Sequence, residues 1–487
     1  MTVVQNSANS KQKTQTNPAD WSALTPLSLD PGPRERALYA AVRRIIEIGQ
    51  ATPGSKLPTT RDLARRLGLP RAAAVAAYEA LAAEGFVAAR VGAGTFVAAA
   101  VPVFAYRPEN PTVIDDGAFV PLPCELGVAN QDPRTMRLFR HALSRRLARP
   151  DSALFHYGDP RGSLALRQAI ATYLRGARGV RCGPEDVLVT AGSMQGLDLV
   201  ARAVLKPGDA AWIEDPCYPM AWRCLSGAGA ALTGVPVDAE GLDPAVGEAL
   251  SQDARAVYVT PSHQFPLGVT MSMRRRLALI DWARRSDAWI IEDDYDSEFR
   301  YAGSPLAALQ GMDAGVAAEG RVAYLGTFAK ILFPGLRIGY AVLPLPLMRR
   351  VLALREQSDR HPAMVLEGAL TDLLDEGHVA AHIRRVRRRA EAGRDALVAG
   401  LAAASNRLTV VSPQQGLHLV VALPDGVDDV ALAQAARENG VAARALGPMH
   451  HAAPPRPGLV LGFSGFTPQA LDAAAKTLAA LVENLGC

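Results

Sequence analysis

Cysteine is scarce. Five occur in 487 residues, at positions 124, 182, 217, 224 and 487, with no CxxC pair and no metal-ligand spacing. That argues against a disulfide scaffold and a cysteine-held metal, and suits a reduced setting. Long apolar runs are missing as well. No charge-free stretch is long enough to span a bilayer, and the first residues are polar, with no apolar leader. The expectation is a cytoplasmic protein with no membrane role and no metal site. Charge of one sign is also in short supply over most of the chain. Residues 1–100 hold 12 Lys or Arg against 7 Asp or Glu, whereas the remainder holds 40 against 41. Only the first fifth offers an excess that a polyanion could use.

The chain does have enough apolar residues to fold, 49% hydrophobic against 21% charged, and it is too long for one ordinary core. Two or three domains are expected. Residues 1–20 are rich in Ser, Thr, Asn, Gln and Lys and read as a disordered tail. A helical pattern begins near Arg34, with Leu38, Val42, Ile45 and Ile46 on one face. Pro53-Gly54 stops it. A second helix, with a threonine able to cap it and Asp62 in its first turn, buries Leu63, Ala64 and Leu67. Pro70 suits the first position of a third helix, whose Val75, Tyr78 and Leu81 face inward. A short hairpin follows, with Gly92 and Gly94 at its tip. Three helices and a hairpin predict a winged helix-turn-helix over residues 21–98. Its third helix would enter the major groove, and its wing would approach the backbone or minor groove.

The run Pro-Gly-Ser-Lys-Leu-Pro-Thr-Thr-Arg-Asp-Leu-Ala at 53–64 resembles a GntR-type DNA-binding domain, as do Leu67-Gly68, Ala-Tyr-Glu-Ala-Leu at 77–81, Glu84-Gly85 and Gly-Ala-Gly-Thr-Phe-Val at 92–97. The resemblance implies double-stranded operator DNA as partner and places Arg61, Arg71 and Arg90 at DNA-contacting positions. The third helix departs from the pattern. Its Arg71 is followed by Ala72, Ala73, Ala74, Val75, Ala76 and Ala77, which offer base edges only methyl contacts. Readout then leans on Arg71, backbone contacts and DNA shape.

Residues 99–124 hold five prolines and read as a linker. From 125 to 487, apolar runs at 187–190, 211–214, 256–260, 288–292 and 322–325 alternate with helical patterns. This predicts an α/β domain on a mainly parallel sheet, with a site at the carboxyl ends of the strands. The last run leads into Gly-Thr-Phe-Ala-Lys-Ile-Leu-Phe-Pro-Gly-Leu-Arg at 326–337. There Lys330 can form a Schiff base with an aldehyde cofactor while Thr327 and Arg337 hold its phosphate. Other strand ends offer a small-residue turn at 190–195, a ring at Tyr218, and Asp293 with Tyr295. Pyridoxal needs a carboxylate on its ring nitrogen and a donor on its phenolic oxygen, and Asp293 and Tyr295 are the right types.

Residues 125–487 resemble the fold-type I aminotransferases, and the two-domain combination resembles the MocR/GabR group of transcriptional regulators. The carrying motifs are His-Tyr-Gly-Asp-Pro-Arg-Gly at 156–162, Thr-Pro-Ser-His-Gln-Phe-Pro at 260–266, Glu-Asp-Asp-Tyr-Asp-Ser-Glu-Phe at 292–299 and Gly-Leu-His at 416–418. The resemblance implies pyridoxal 5'-phosphate on Lys330, Asp293 on the ring nitrogen, Tyr295 on the phenolic oxygen and Tyr218 on the ring face. Ser193, Met194, Thr327 and Arg337 would hold the phosphate. Tyr157 would reach the partner subunit's phosphate in a domain-swapped homodimer. Two departures from the enzymes stand out. Phe265-Pro266-Leu267-Gly268 replaces an Asn-Pro-x-Gly turn, and Val460 stands where enzymes carry the arginine that clamps a carboxylate. Arg456 is a candidate replacement. The expected function is transcriptional regulation, with the cofactor, an amine or an amino acid as effector and little or no catalysis. A working aminotransferase with an accessory DNA-binding domain is the alternative.

Overall fold

The structure, a computed structural model, describes residues 21, 24, 33–99, 120–303, 306–313, 320–411 and 414–484. The chain divides into two compact units, Met1–Ala118 and Phe119–Cys487. The tail expected at 1–20 and the linker residues 100–119 lie outside the described residues.

In the first unit, α1 (Arg34–Glu47), α2 (Thr60–Leu67) and α3 (Arg71–Ala83) precede the strands β1 (Val87–Arg90) and β2 (Gly94–Val97). Thr59 caps α2 by accepting the Asp62 N–H, and Gly68 ends it in the left-handed conformation. β1 and β2 pair antiparallel from Val87↔Val97 to Arg90↔Gly94. The core holds the expected Leu38, Val42, Leu63, Leu67, Tyr78 and Leu81, and also Trp21 and Leu24. The Trp21 indole donates to the Lys56 carbonyl at 3.0 Å, and the Tyr78 hydroxyl to that of Pro58 at 2.9 Å. Two expectations for α3 are corrected. Pro70 is its N-cap rather than its first residue. Val75 is only half-buried, while Ala74 and Ala77 are at 0% and 1% exposure. Small side chains let α3 lie close to α1, so part of the alanine run serves the core.

The second unit is built on an eight-stranded sheet. Its strands are β3 (Val187–Thr190), β4 (Ala210–Asp215), β5 (Ala231–Asp238), β6 (Gly241–Leu242), β7 (Ala256–Val259), β8 (Trp289–Asp294), β9 (Val322–Thr327) and β10 (Gly339–Val342). Their spatial order is β3-β10-β9-β8-β7-β4-β5-β6. The central pairings from β9 to β5 are parallel, whereas β10 runs antiparallel to both β3 and β9. Helices cover both faces: Leu164–Arg178 and Met364–Asp375 over one cluster, Ser193–Val204 and Leu345–Ser358 over another. Hydrophobicity alone stops β8 and β9 too early. Their ladders continue through Asp294 and Thr327, so Asp293 and Thr327 sit within strands rather than beyond them.

A second sheet, not anticipated as such, has β11 (Thr409–Val411), β12 (His418–Ala422), β13 (Arg444–Ala445) and β14 (Gly458–Gly462) in the order β11-β12-β14-β13, all antiparallel. Helices His378–Ala404 and Pro468–Asn484 close its core. Among the described residues no helix is long and apolar enough to cross a membrane.

Candidate functional site

A cavity of about 400 Å³ lies at the carboxyl ends of the central strands. It gathers Ser193, Met194, Tyr218, Asp293, Tyr295, Thr327, Lys330 and Arg337, which are far apart in the sequence. Tyr157 is not among its walls. It is 74% exposed, with the Arg360 guanidinium 3.9 Å from its ring centroid and His361 edge-on to it.

At one end, Gly192 caps the helix Ser193–Val204 with φ +95°, so the first N–H groups of the helix face the cavity without intrahelical acceptors. Arg337, itself left-handed at φ +53°, donates to the Ala191 carbonyl at 2.6 Å and packs its guanidinium over Gly192. Thr327 accepts the Ala329 N–H at 3.1 Å, which fixes the turn that carries Lys330. Helix N-terminus, hydroxyl and guanidinium lie together at this end as a cup of groups able to receive an anion.

In the middle, Asp293 is 7% exposed. Its Oδ2 accepts the Tyr258 hydroxyl at 2.7 Å, and its Oδ1 has no partner among the described residues. Burial raises its pKa to about 6, with the neighbouring Asp294 and Asp296 charges adding to the rise. Lys330 is shifted the other way: burial lowers it, and Asp296 and Asp293 only partly restore the charge. Gly127, at φ +84°, lets the lysine through, since a Cβ there would lie 3.0 Å from Nζ. Tyr295 donates to or accepts from His263 Nδ1 at 3.0 Å, and that nitrogen also meets Asp296 at 3.0 Å. His263, Asp296 and His418 lie within metal-ligand reach of one another. Asp296 is already engaged by His263 and the Leu417 N–H, and His418 Nε2 by the Pro266 carbonyl. The trio braces Tyr295. Burial lowers the His418 pKa to about 3, leaving it neutral. Gly416 is required here, because a Cβ on it would fall 1.9 Å from the His263 ring.

The other end is apolar and aromatic. Phe265 meets Tyr218 edge-on at 5.4 Å and Tyr295 at 6.2 Å. Val460 is fully buried against Val420, Leu446 and Met449. Arg456 is exposed and lines no part of the cavity. Besides Lys330 and Arg337, the cavity is lined by Arg444, which pairs across β13 and β14 with Val460. That arginine has no acidic partner among the described residues. Arg444, Tyr258 and Gly127 were not foreseen. Tyr258 hides in an apolar run, and only the lone cation in Ala-Arg-Ala-Leu at 443–446 carries a signal.

In the first unit Arg61 and Arg71 open α2 and α3, exposed and without partners among the described residues. Arg90 stacks its guanidinium 4.6 Å from the Phe96 ring, beside Gly92 and Gly94 at φ +73° and +111°.

Both units match known families. Residues 34–97 match "Bacterial regulatory proteins, gntR family", and residues 127–478 match "Aminotransferase class I and II". The "Probable rhizopine catabolism regulatory protein MocR" of Rhizobium meliloti is 36% identical over 90% of this chain and 92% of its own. The chain belongs to the MocR-type family of GntR regulators. Another relative of this regulator is the "HTH-type pyridoxine biosynthesis transcriptional regulator PdxR" of Corynebacterium glutamicum, 35% identical over 72% of this chain and 75% of its own. The aminotransferase-like unit resembles the α-aminoadipate aminotransferase LysN of Thermus thermophilus, solved with N-(5'-phosphopyridoxyl)-L-leucine. That match has 26% identity and a TM-score of 0.68, and covers 75% of this chain and 92% of the enzyme.

Proposed function

We propose that this MocR-type regulator holds pyridoxal 5'-phosphate and reads an amine ligand through it. The observation that carries the reading is Asp293 Oδ1, a buried carboxylate oxygen with no partner, in the same cavity as Lys330 and the anion cup. An unpaired buried acceptor is costly unless something arrives to pair with it, and a protonated ring nitrogen would do so. Ser193, Met194, Thr327 and Arg337 would take the phosphate, Tyr218 the ring face, and Tyr295 the phenolic oxygen. When bound, the cofactor supplies an aldehyde that captures primary amines and a ring that draws electrons from them. Lys330 supplies the resident amine, and its lowered pKa increases the neutral fraction that can react.

Arg444 gives the far end of the cavity a cation where Val460 removed one. This favours an amine that also carries an acid group over the cofactor alone. The residues proposed for DNA contact are Arg61, Arg71 and Arg90, with Gly92 and Gly94 shaping the wing. Tyr157, exposed and outside its own cavity, is the residue through which a second copy would complete the phosphate cup of a homodimer. The complete Lys330, Asp293 and Arg337 set keeps a working aminotransferase as the second reading.

Visible absorption separates the two. Purified protein with pyridoxal phosphate is titrated with amines and amino acids. A cofactor band that shifts and stays supports a sensor. A band that bleaches and returns on adding a 2-oxo acid supports the enzyme, and no band at all overturns both. Loss of the response to acidic amines in Arg444→Gln, with the response to simple amines kept, supports the assignment of Arg444.

A further inference from the structure

A second cavity, of about 300 Å³, opens between the end of helix Leu164–Arg178, the segment after β8 and the first turns of helix His378–Ala404. It shares no lining residue with the cofactor cavity. Its walls are rich in donors. Arg178 is fully engaged, giving Nε to Asp294 at 2.7 Å, Nη1 to the Leu306 carbonyl at 2.7 Å and Nη2 to Ser262 at 2.8 Å. The others are not. Arg387 spends Nε on the Glu298 carbonyl at 2.8 Å. Arg300 gives Nη1 to Gln415 at 2.9 Å and keeps a buried Nε with no acceptor among the described residues. Arg384 is exposed and finds no acceptor among the described residues. Ser297, at 8% exposure, has a hydroxyl with no partner among the described residues.

The acid in this wall, Glu298, is buried and already accepts the Tyr173 hydroxyl at 2.7 Å. Burial and the nearby Asp294 raise its pKa to about 7, so it is only partly ionised at neutral pH. Unpaired buried donors each cost a desolvation penalty that an acceptor would relieve. Guanidinium forks match the paired oxygens of phosphates and carboxylates. We propose that this cavity is a second ligand site, for a compact dianion of the phosphate or dicarboxylate class. Its volume of about 300 Å³ admits a ligand of that size.

The test uses the full chain loaded with pyridoxal phosphate, titrated calorimetrically with inorganic phosphate and, separately, with malonate. Saturable binding of one anion per chain is expected, and which of the two binds names the class. Arg384→Glu should weaken it at least tenfold. Ser297→Ala should weaken it several-fold without lowering the thermal midpoint of the anion-free protein, since the hydroxyl it removes has no partner there. Arg456→Ala, which removes an exposed cation that lines neither cavity, should leave it unchanged. The proposal is overturned by no saturable binding of either anion, by wild-type affinity in Arg384→Glu or Ser297→Ala, or by an equal loss in Arg456→Ala.

Discussion

Replacing Asp293 by Asn should move cofactor affinity and cofactor-free stability in opposite directions. The ordinary carboxylate value of 3.8 is raised to about 6 in the fold, chiefly by burial. A carboxyl whose folded pKa is raised binds more protons folded than unfolded, so its contribution is fully present below pH 3.8 and declines as pH rises to about 6. The difference of 2.2 pH units corresponds to a ceiling of about 3 kcal/mol of instability at pH 7.5, and roughly half of that at pH 5. Asn carries no charge to bury, and its carbonyl can still accept the Tyr258 hydroxyl. Asp293→Asn should therefore raise the thermal midpoint of the cofactor-free protein at pH 7.5, and raise it less at pH 5. The same change removes the anion that would face the ring nitrogen. A buried charge-assisted hydrogen bond contributes about 1.5–3 kcal/mol, so pyridoxal phosphate should bind roughly ten- to a hundredfold more weakly. Differential scanning fluorimetry at two pH values and a fluorescence titration with the cofactor read both effects. A variant that binds the cofactor as tightly as wild type, or one that is less stable without it, refutes the reasoning.

Lys330→Ala should lose covalent cofactor attachment, seen as absence of a borohydride-reducible adduct by mass spectrometry, while operator binding in a gel-shift assay persists. Arg71→Ala should weaken operator binding, and a slope of log affinity against log salt reduced by about 1 would assign it a phosphate contact; unchanged affinity and slope would remove Arg71 from the interface. Leu63→Ala, at a core position with 1% exposure, should destabilise the DNA-binding unit by about 2–5 kcal/mol, measured by urea denaturation of that unit's signal. Gly416→Ala should displace His263 and with it Tyr295, changing the cofactor's absorption maximum; an unaltered spectrum would mean that the His263 brace does not reach the cofactor.

Much of this protein is written in local sequence. The faces of α1 and α2, a threonine cap on α2, the wing glycines and the strand that delivers Lys330 all follow from periodicity and turn chemistry, which act over a few residues. Asp293, Tyr295, Lys330 and Arg337, which share one cavity, could be singled out because each follows an apolar run, near the strand ends where a parallel sheet builds its sites. The sequence could not tell how those runs pair. Arg444 reaches the cavity because antiparallel pairing sets it opposite Val460, while Arg456, much nearer to Val460 in the chain, stays outside. Tyr258 became the partner of Asp293 through neighbouring parallel strands, and Gly416 became indispensable through a histidine far from it in sequence. The unpaired donors of the second cavity arise where two helices and a loop meet. Register and packing of that kind depend on contacts between distant segments, and only the folded chain decides them.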